Sequence, residues 1–131
     1  MSEDVKTKTQ RVAQMYFKGV TGERPYDLWN DFDPDMAKQL SVFITGRMYA
    51  RERIPHTTRQ LVTIAVLTVL GHLGELKLHM QAALNVGCTP EQIFEVVLQT
   101  FTYNGIPAVN AALKTFRDVL KEKDMWPLKS E

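Results

Sequence analysis

A set of helix-start and helix-stop signals along the chain is the feature that most restricts its fold. Thr89-Pro90-Glu91-Gln92 has the pattern of a capping box with proline at the first helical position. Asp33-Pro34-Asp35 is a similar start, and Gly19 and Gly87 are typical of positions that end a helix. Apolar residues between these signals recur with the helical period. The sequence therefore predicts an all-α fold.

About six helices are expected from these boundaries, and no segment is a convincing strand. The predicted spans are Asp4 to about Lys18, Pro34 to about Arg51, Thr57 or Thr58 to Leu70, Glu75 to Val86, Pro90 to about Asn104, and Pro107 to about Lys123. A loop through Gly22 and Pro25 is expected after the first helix. The β-branched residues of 61–70 could indicate a strand, but the flanking caps and the helical period favour a helix.

Length and charge describe one ordinary domain. The chain has 131 residues, of which 44% are hydrophobic and 24% charged, so one domain over 1–131 is expected. A net charge of +1 with mixed signs argues against nucleic-acid binding through a basic surface. The longest apolar stretch, 61–70, is too short to span a bilayer, and the polar, acidic N-terminus Met1-Ser2-Glu3-Asp4 is unlike a signal peptide. We therefore expect a cytoplasmic protein that has no membrane partner.

The cysteine content excludes redox chemistry that depends on a disulfide within the chain. Cys88 is the only cysteine, so the chain can form neither an internal disulfide nor a Cys-x-x-Cys redox pair. It lies in the turn between two predicted helices, where a lone cysteine is typically an inert small residue.

One predicted helix face carries three ionisable groups. Glu75 and His79 are four residues apart, and His72 lies three residues before Glu75, so all three fall close to one face. A solvated surface pair, an acid/base site and a metal site each account for the pattern, although the spacing is not that of zinc proteases. Local spacing does not decide among them.

The segment Tyr103-Asn104-Gly105-Ile106-Pro107 predicts a tight link between two helices. Glycine can adopt a positive φ there, and proline can restart the helix. Turn chemistry accounts for Gly105 and Pro107 but less well for Tyr103 and Asn110. Either of those two could donate a hydrogen bond to a ligand, and either could be a structural contact.

Four segments in order resemble a known family. They are Arg59 to Ala65, Glu75 to His79, Asn85 to Thr89, and Tyr103 to Ala112. Together they resemble the carboxymuconolactone decarboxylase family, and within it the γ-carboxymuconolactone decarboxylase branch. Asn30-Asp31-Phe32 is also similar to the N-terminal region of that branch, so the resemblance covers nearly the whole chain.

The resemblance implies the all-helical fold of alkylhydroperoxidase D proteins, assembled as homo-oligomers, which are trimers or, for this branch, hexamers. The peroxidases of that group carry a Cys-x-x-Cys pair at the positions that His72 and Glu75 occupy here. Without two thiols there is no disulfide cycle to reduce a peroxide. A peroxidase activity is therefore disfavoured.

The family reaction converts 4-carboxymuconolactone into an oxoadipate enol-lactone and CO2 without a metal or an organic cofactor. The resemblance implies His79 as the acid/base residue, with Glu75 to orient it or share its proton. It also implies arginine for the substrate carboxylates and a donor for the developing oxyanion. The candidates are Arg59, Arg47 and Arg51 for the carboxylates, and Tyr103 for the oxyanion.

The chain departs from the family pattern at two places that could line the pocket. Tyr49 to His56 replaces a Trp-x-Arg-Pro-Gly-type segment, of which Arg51 survives, and His72 stands where another polar residue is usual. His72 is therefore a candidate substrate-binding residue, and a related lactone or keto acid is an alternative substrate. Two other classes remain open: a thiol peroxidase that uses Cys88, and a non-catalytic helical oligomer that binds a small molecule.

Overall fold

The computed structural model describes residues 3–128, and within that range the regular secondary structure is entirely helical, with no strand. Seven α-helices are present: α1 (Val5–Phe17), α2 (Pro25–Phe32), α3 (Pro34–Ser41), α4 (His56–Leu70), α5 (Leu73–Asn85), α6 (Pro90–Gln99) and α7 (Phe101–Glu122). A π-helix, Val42–Tyr49, continues directly from α3. The all-α prediction is confirmed. Met1, Ser2 and residues 129–131 lie outside the described range.

Three predicted helix starts are confirmed by their capping bonds. Asp4 Oδ1 accepts the Thr7 amide at 2.8 Å, and Asp33 Oδ1 accepts the Met36 amide at 3.1 Å. At α6 the bonds are reciprocal, because Thr89 Oγ1 accepts the Gln92 amide at 3.1 Å while Gln92 Oε1 accepts the Thr89 amide at 2.9 Å. Local sequence fixes these boundaries because each cap satisfies amides that lack a helical partner.

The predicted loop through Pro25 is wrong, because that segment forms α2. Pro25 occupies the first turn, and Asp27 Oδ2 accepts the Arg24 amide at 3.3 Å. None of the eight residues of α2 is buried. Its apolar side chains are exposed instead of packed in the core; they are Tyr26, Leu28, Trp29 and Phe32.

Two other boundaries differ from the prediction. α4 begins at His56 after Pro55, whose carbonyl accepts the Arg59 amide at 3.0 Å, so the predicted Thr57 or Thr58 cap is wrong. Proline fixes its own φ and can end the extended segment without a side-chain cap. Near the C-terminus the backbone leaves helical geometry at Gly105 (φ 83°, ψ 174°), as predicted, and a further break at Thr100 separates α6 from α7.

α5 is the central helix. It packs against α4, α6 and α7 on one side and against α1 on the other. The main core lies on the first side and includes Ile64, Leu76, Met80, Val97 and Phe116, while a smaller cluster of Val12, Tyr16, Ala50 and Ala82 lies on the second. A side chain of α5 that points between these two clusters is therefore enclosed by several helices at once.

The π-helix approaches α1 so closely that one position requires glycine. A Cβ added at Gly46 would collide with Thr9 Oγ1 and lie 3.2 Å from Thr9 Cβ. Both residues are buried. This contact fixes the π-helix against α1 and so places its side chains, including Tyr49, above the central helix.

Candidate active site

A cavity of about 180 Å³ lies between the π-helix, the first three α-helices and α5. Most of its lining residues are apolar or aromatic. They are Ala13, Phe17, Arg24, Pro25, Tyr26, Ala37, Leu40, Ser41, Ile44, Thr45, Tyr49, Leu78 and His79. The volume is below the roughly 300–1,000 Å³ of pockets for drug-sized ligands, so the cavity suits a small molecule.

His79 enters this cavity from α5 and is held by a buried amide. Its Nδ1 lies 2.9 Å from Oε1 of Gln60, a residue of α4 with 0% exposure. An amide oxygen can only accept, so Nδ1 carries the proton and donates it to Gln60. Nε2 is then the nitrogen left with a lone pair for a ligand in the cavity.

Aromatic rings enclose the imidazole. The rings of Phe17 and Tyr49 meet it edge-on, with centroids 5.9 and 5.7 Å away at interplanar angles of 76° and 77°. Burial lowers the pKa of His79 to about 4, against a smaller opposing effect of the Glu75 charge. His79 is therefore neutral at neutral pH in the free protein.

Arg24 is the one arginine or lysine among the cavity-lining residues of the described chain, and no acidic residue lines the cavity. It precedes α2, and its guanidinium carbon lies 5.3 Å from the centroid of the Phe17 ring. Its Nε is 3.9 Å from Asp27 Oδ2, a long and partly exposed pair that neutralises it weakly. The cavity therefore favours an anionic ligand.

Hydrogen bonds from α5 fix the segment that leads to Arg24. Asn85 Nδ2 donates to the carbonyls of Tyr16 and Lys18 at 2.8 and 2.9 Å. Gln81 Oε1 accepts the Thr21 amide at 3.0 Å, and Gln81 Nε2 donates to the Thr21 carbonyl at 3.1 Å. α5 thus positions both His79 and the backbone that carries Arg24.

Two residues of the predicted stripe lie outside the cavity. Glu75 is exposed on α5, makes no hydrogen bond to His79, and lies in a neighbouring groove that Arg24 also lines. His72 is exposed at the junction of α4 and α5, where Gly71 adopts the left-handed conformation (φ 74°). Their roles in proton transfer and substrate binding stay predictions.

Arg59 lies next to the cavity wall but does not line the cavity. Burial raises the pKa of Tyr16 to about 12 and raises that of Tyr49, while the positive charge of Arg59 acts in the opposite direction on both phenols. Its Nη2 donates to the Arg51 carbonyl at 2.9 Å, and its buried Nε has no hydrogen-bond partner within the described chain. Arg59 thus lies close to Tyr16 and Tyr49, and its Nε–H is not used in a hydrogen bond within the described chain.

The remaining predicted residues lie on the surface. Arg47 and Arg51 are exposed, and Arg47 borders a shallow groove beside Lys38. Tyr103 is 78% exposed and borders an apolar groove on α4. Among the seven residues singled out from the sequence, only His79 lines the cavity. Binding roles for Arg59, Arg51, Arg47 and Tyr103 stay predictions.

Sequence reasoning missed Gln60 and Arg24. Gln60 shares a helix face with Ile64 and Thr68, and all three are buried. A glutamine at a position where the helical period predicts a core residue was the feature that could have identified it. Arg24 gave no such signal, because its position depends on an exposed helix and on how that helix packs. Nothing in its local sequence distinguishes it from the other arginines.

Other kinds of site are not built by the described residues. Within 3–128 no group of three His, Cys, Asp or Glu side chains is placed to hold a metal ion. No helix in the same range has the length and apolar character needed to cross a membrane. Cys88 is buried, its Sγ donates to the Thr57 carbonyl at 3.4 Å, and burial raises the pKa of the thiol. It is a packed thiol rather than an exposed thiolate.

Comparison with known proteins gives one family and two relatives. Residues 34–118 match the carboxymuconolactone decarboxylase family. The chain is 40% identical over 100 residues to the 4-carboxymuconolactone decarboxylase of Acinetobacter baylyi (strain ATCC 33305 / BD413 / ADP1), covering 76% of this chain and 75% of that protein. It is 37% identical over 81 residues to an uncharacterized 15.0 kDa protein of Paracoccus denitrificans from the nqo9-nqo10 intergenic region, covering 60% of each chain.

Proposed function

This chain belongs to the carboxymuconolactone decarboxylase family, and we propose that it is a cofactor-independent decarboxylase of aromatic-compound degradation. Its proposed substrate is 4-carboxymuconolactone or a closely related lactone or keto acid. The observation that carries the proposal is the small cavity that His79 and Arg24 both line. It joins an oriented imidazole to a cationic side chain in an otherwise apolar space.

The lining residues suit a small anionic substrate. 4-Carboxymuconolactone carries two carboxylates, and Arg24 can bind one of them through charge-assisted hydrogen bonds. The carboxylate that leaves as CO2 benefits from apolar surroundings, because the neutral product needs no hydration. Phe17, Tyr49 and Leu78 supply such surroundings. In this account Arg24 binds the retained carboxylate, and His79 faces the lactone ring.

The reaction needs an electron sink and a proton donor. When the bond from the ring carbon to the carboxylate breaks, its electron pair passes through the ring double bond to the lactone carbonyl and forms a dienolate. A proton must then be delivered to a ring carbon to give the enol-lactone. His79 Nε2 is the group proposed to deliver it, since Nδ1 is bound to Gln60.

Substrate binding must change the protonation of His79 for this step. In the free protein burial holds its pKa at about 4. A bound dianion next to Nε2 favours the imidazolium, because an opposite charge within about 4–6 Å raises a histidine pKa. His79 then takes up a proton from solvent on binding and donates it to the dienolate. The dienolate is neutralised without a metal ion.

The homo-oligomeric state, a trimer or a hexamer, remains a proposal from the family resemblance. It is compatible with apolar side chains of α4 that are exposed in the single chain, namely Val62, Val66, Val69 and Leu70. Light scattering of the purified protein measures the mass directly. A monomer at micromolar concentration would contradict this part of the proposal.

Incubation of metal-free protein with 4-carboxymuconolactone tests the function. We expect release of CO2, loss of substrate absorbance, and formation of the enol-lactone in equal amounts. Related lactone acids and β-keto acids, assayed in parallel, locate the substrate if this compound is a poor one. A folded protein that releases CO2 from none of them would contradict the proposal.

A further inference from the structure

We propose that Gln60 is a positioning residue: its buried side-chain oxygen holds His79 in the Nδ1–H tautomer and so leaves Nε2 for the cavity. The orienting role of Gln60 is inferred from its contact with His79 alone. The catalytic consequence rests on the proposed function, in which Nε2 is the atom that handles the proton.

The contact has the features of an orienting bond. Gln60 Oε1 and His79 Nδ1 are 2.9 Å apart, which is an ordinary hydrogen-bond length. Gln60 is 0% exposed, so bulk water does not compete for His79 at that oxygen. Loss of this acceptor would leave a buried N–H unpaired, which is unfavourable. The ring is therefore strongly constrained to keep Nδ1 protonated and turned toward α4.

A second hydrogen bond, between Tyr16 and His56, is compatible with the same amide orientation. The hydroxyl of Tyr16 is hydrogen-bonded to His56 Nδ1. When the phenol donates to His56, its oxygen lone pairs are free to face the N–H groups of the Gln60 amide. Burial raises the pKa of Tyr16, while the Arg59 charge and, to a smaller extent, Gln60 lower it. Gln60 Nε2 is buried and has no hydrogen-bond partner within the described chain, so the contact of Oε1 with His79 is the one that defines the amide orientation.

The reverse orientation makes an opposite and observable prediction. With the amide turned over, its N–H groups would face His79, Nδ1 would hold the lone pair, and the proton would move to Nε2. Such a ring would direct an N–H at the cavity even when neutral. The two amide orientations therefore differ in which nitrogen of His79 carries the proton, and this can be measured without any substrate.

A neutral amide orients His79 without adding a negative charge beside it, whereas a carboxylate at this position would add one. An acidic partner on Nδ1 would stabilise the imidazolium and raise the His79 pKa, as opposite charges do. Gln60 orients the ring and adds no charge, so the charge of a bound substrate can decide the protonation state. Glu75, the carboxylate predicted to orient His79, is exposed and makes no hydrogen bond to it.

Nitrogen-15 NMR of the three histidine side chains tests the proposal. The shifts of Nδ1 and Nε2 report which nitrogen is protonated, and His79→Gln assigns the His79 signals. In the wild type at neutral pH we expect a neutral His79 with the proton on Nδ1. In Gln60→Met, which has similar size and no acceptor oxygen, we expect a tautomer mixture and a kcat lower on the order of 10²-fold with KM little changed.

Two further variants separate orientation from general damage. Gln60→Glu keeps an acceptor at the same place, so it should retain the Nδ1–H tautomer and raise the pH at which His79 titrates. Gln81→Met removes another buried glutamine, one bonded to Thr21 instead of His79, and should leave the His79 signals unchanged.

Either of two results would overturn the proposal: an Nε2–H tautomer in the wild type, or an unchanged Nδ1–H tautomer in Gln60→Met. The wild-type spectrum decides the first even if Gln60→Met does not fold. An Nδ1–H spectrum in a protein that releases no CO2 would refute the proposed function and leave the role of Gln60 in orientation intact.

Discussion

Nδ1 of His79 donates to Oε1 of Gln60 across the interface between α5 and α4, over 2.9 Å. The bond joins the only predicted site residue that lines the cavity to an acceptor that carries no charge. It orients the imidazole without stabilising its charged form, and burial then keeps the ring neutral, with a pKa of about 4. We therefore propose that, near neutral pH, His79 gains a proton when an anionic substrate brings a negative charge into the cavity.

Replacement of Arg24 should impair binding more than chemistry. Arg24→Gln is expected to raise KM about 10- to 100-fold, because a hydrogen bond between charged groups contributes roughly 1.5–3 kcal/mol. Steady-state kinetics on the variant checks this. Arg117→Gln, an exposed arginine of α7 outside the cavity, is the matched control and should behave like the wild type. A large KM increase in Arg59→Gln with none in Arg24→Gln would instead support the anchor predicted from the sequence.

Stability should fall with decreasing pH because of His79. The unfolded chain binds a proton at this residue below about pH 6.5, whereas the folded chain does so only below about pH 4. The free energy of unfolding therefore decreases as pH falls through that window, by about 3 kcal/mol in total. Urea unfolding at pH 7.5 and pH 4.5 measures the loss. His79→Gln should show a smaller loss than the wild type, and an equal loss in both would contradict the buried neutral histidine.

A side chain at position 46 should destabilise the fold. Gly46→Ala places a methyl group against Thr9 and is expected to destabilise the fold by roughly 1–3 kcal/mol. Gly74→Ala on α5 is the control, since nothing lies within 4 Å of its added Cβ. It should stabilise the fold by about 0.5–1 kcal/mol, because alanine favours the helix. Thermal unfolding compares the two, and equal effects would show that the π-helix does not pack on α1 as described.

Peroxide turnover should be absent. Cys88 is buried, its thiol pKa is raised, and the chain offers no second cysteine to resolve an oxidised intermediate. Peroxide consumption with a dithiol reductant should thus stay at background in the wild type and in Cys88→Ser alike. A wild-type rate that disappears in Cys88→Ser would support the peroxidase alternative.

Features governed by local chemistry were predicted well from the sequence. The helix starts near Asp4, Asp33 and Thr89, and the break at Gly105, depend on side chains and backbone conformations within a few residues. α2 was missed because Gly22 and Pro25 were interpreted as a loop signal, whereas Pro25 occupies the first turn of a short helix of eight residues. The cation that this helix helps to place was missed with it.

The site itself was predicted only in part, for a related reason. Helical spacing shows which side chains share a face of one helix, and on that basis Glu75 was paired with His79. It does not show which neighbouring helix covers that face. The hydrogen-bond partner of His79 is on α4, 19 positions earlier in the chain, and only the packing of α4 on α5 brings the two together.

The most direct test of the account is turnover of 4-carboxymuconolactone by the wild type and by His79→Gln, each free of metal. Circular dichroism and light scattering confirm that the variant keeps its fold and assembly. We expect CO2 release by the wild type and a kcat lower by about 10²- to 10⁴-fold in the variant, because a positioned acid or base usually contributes this much. A folded His79→Gln protein with turnover close to wild type would contradict it.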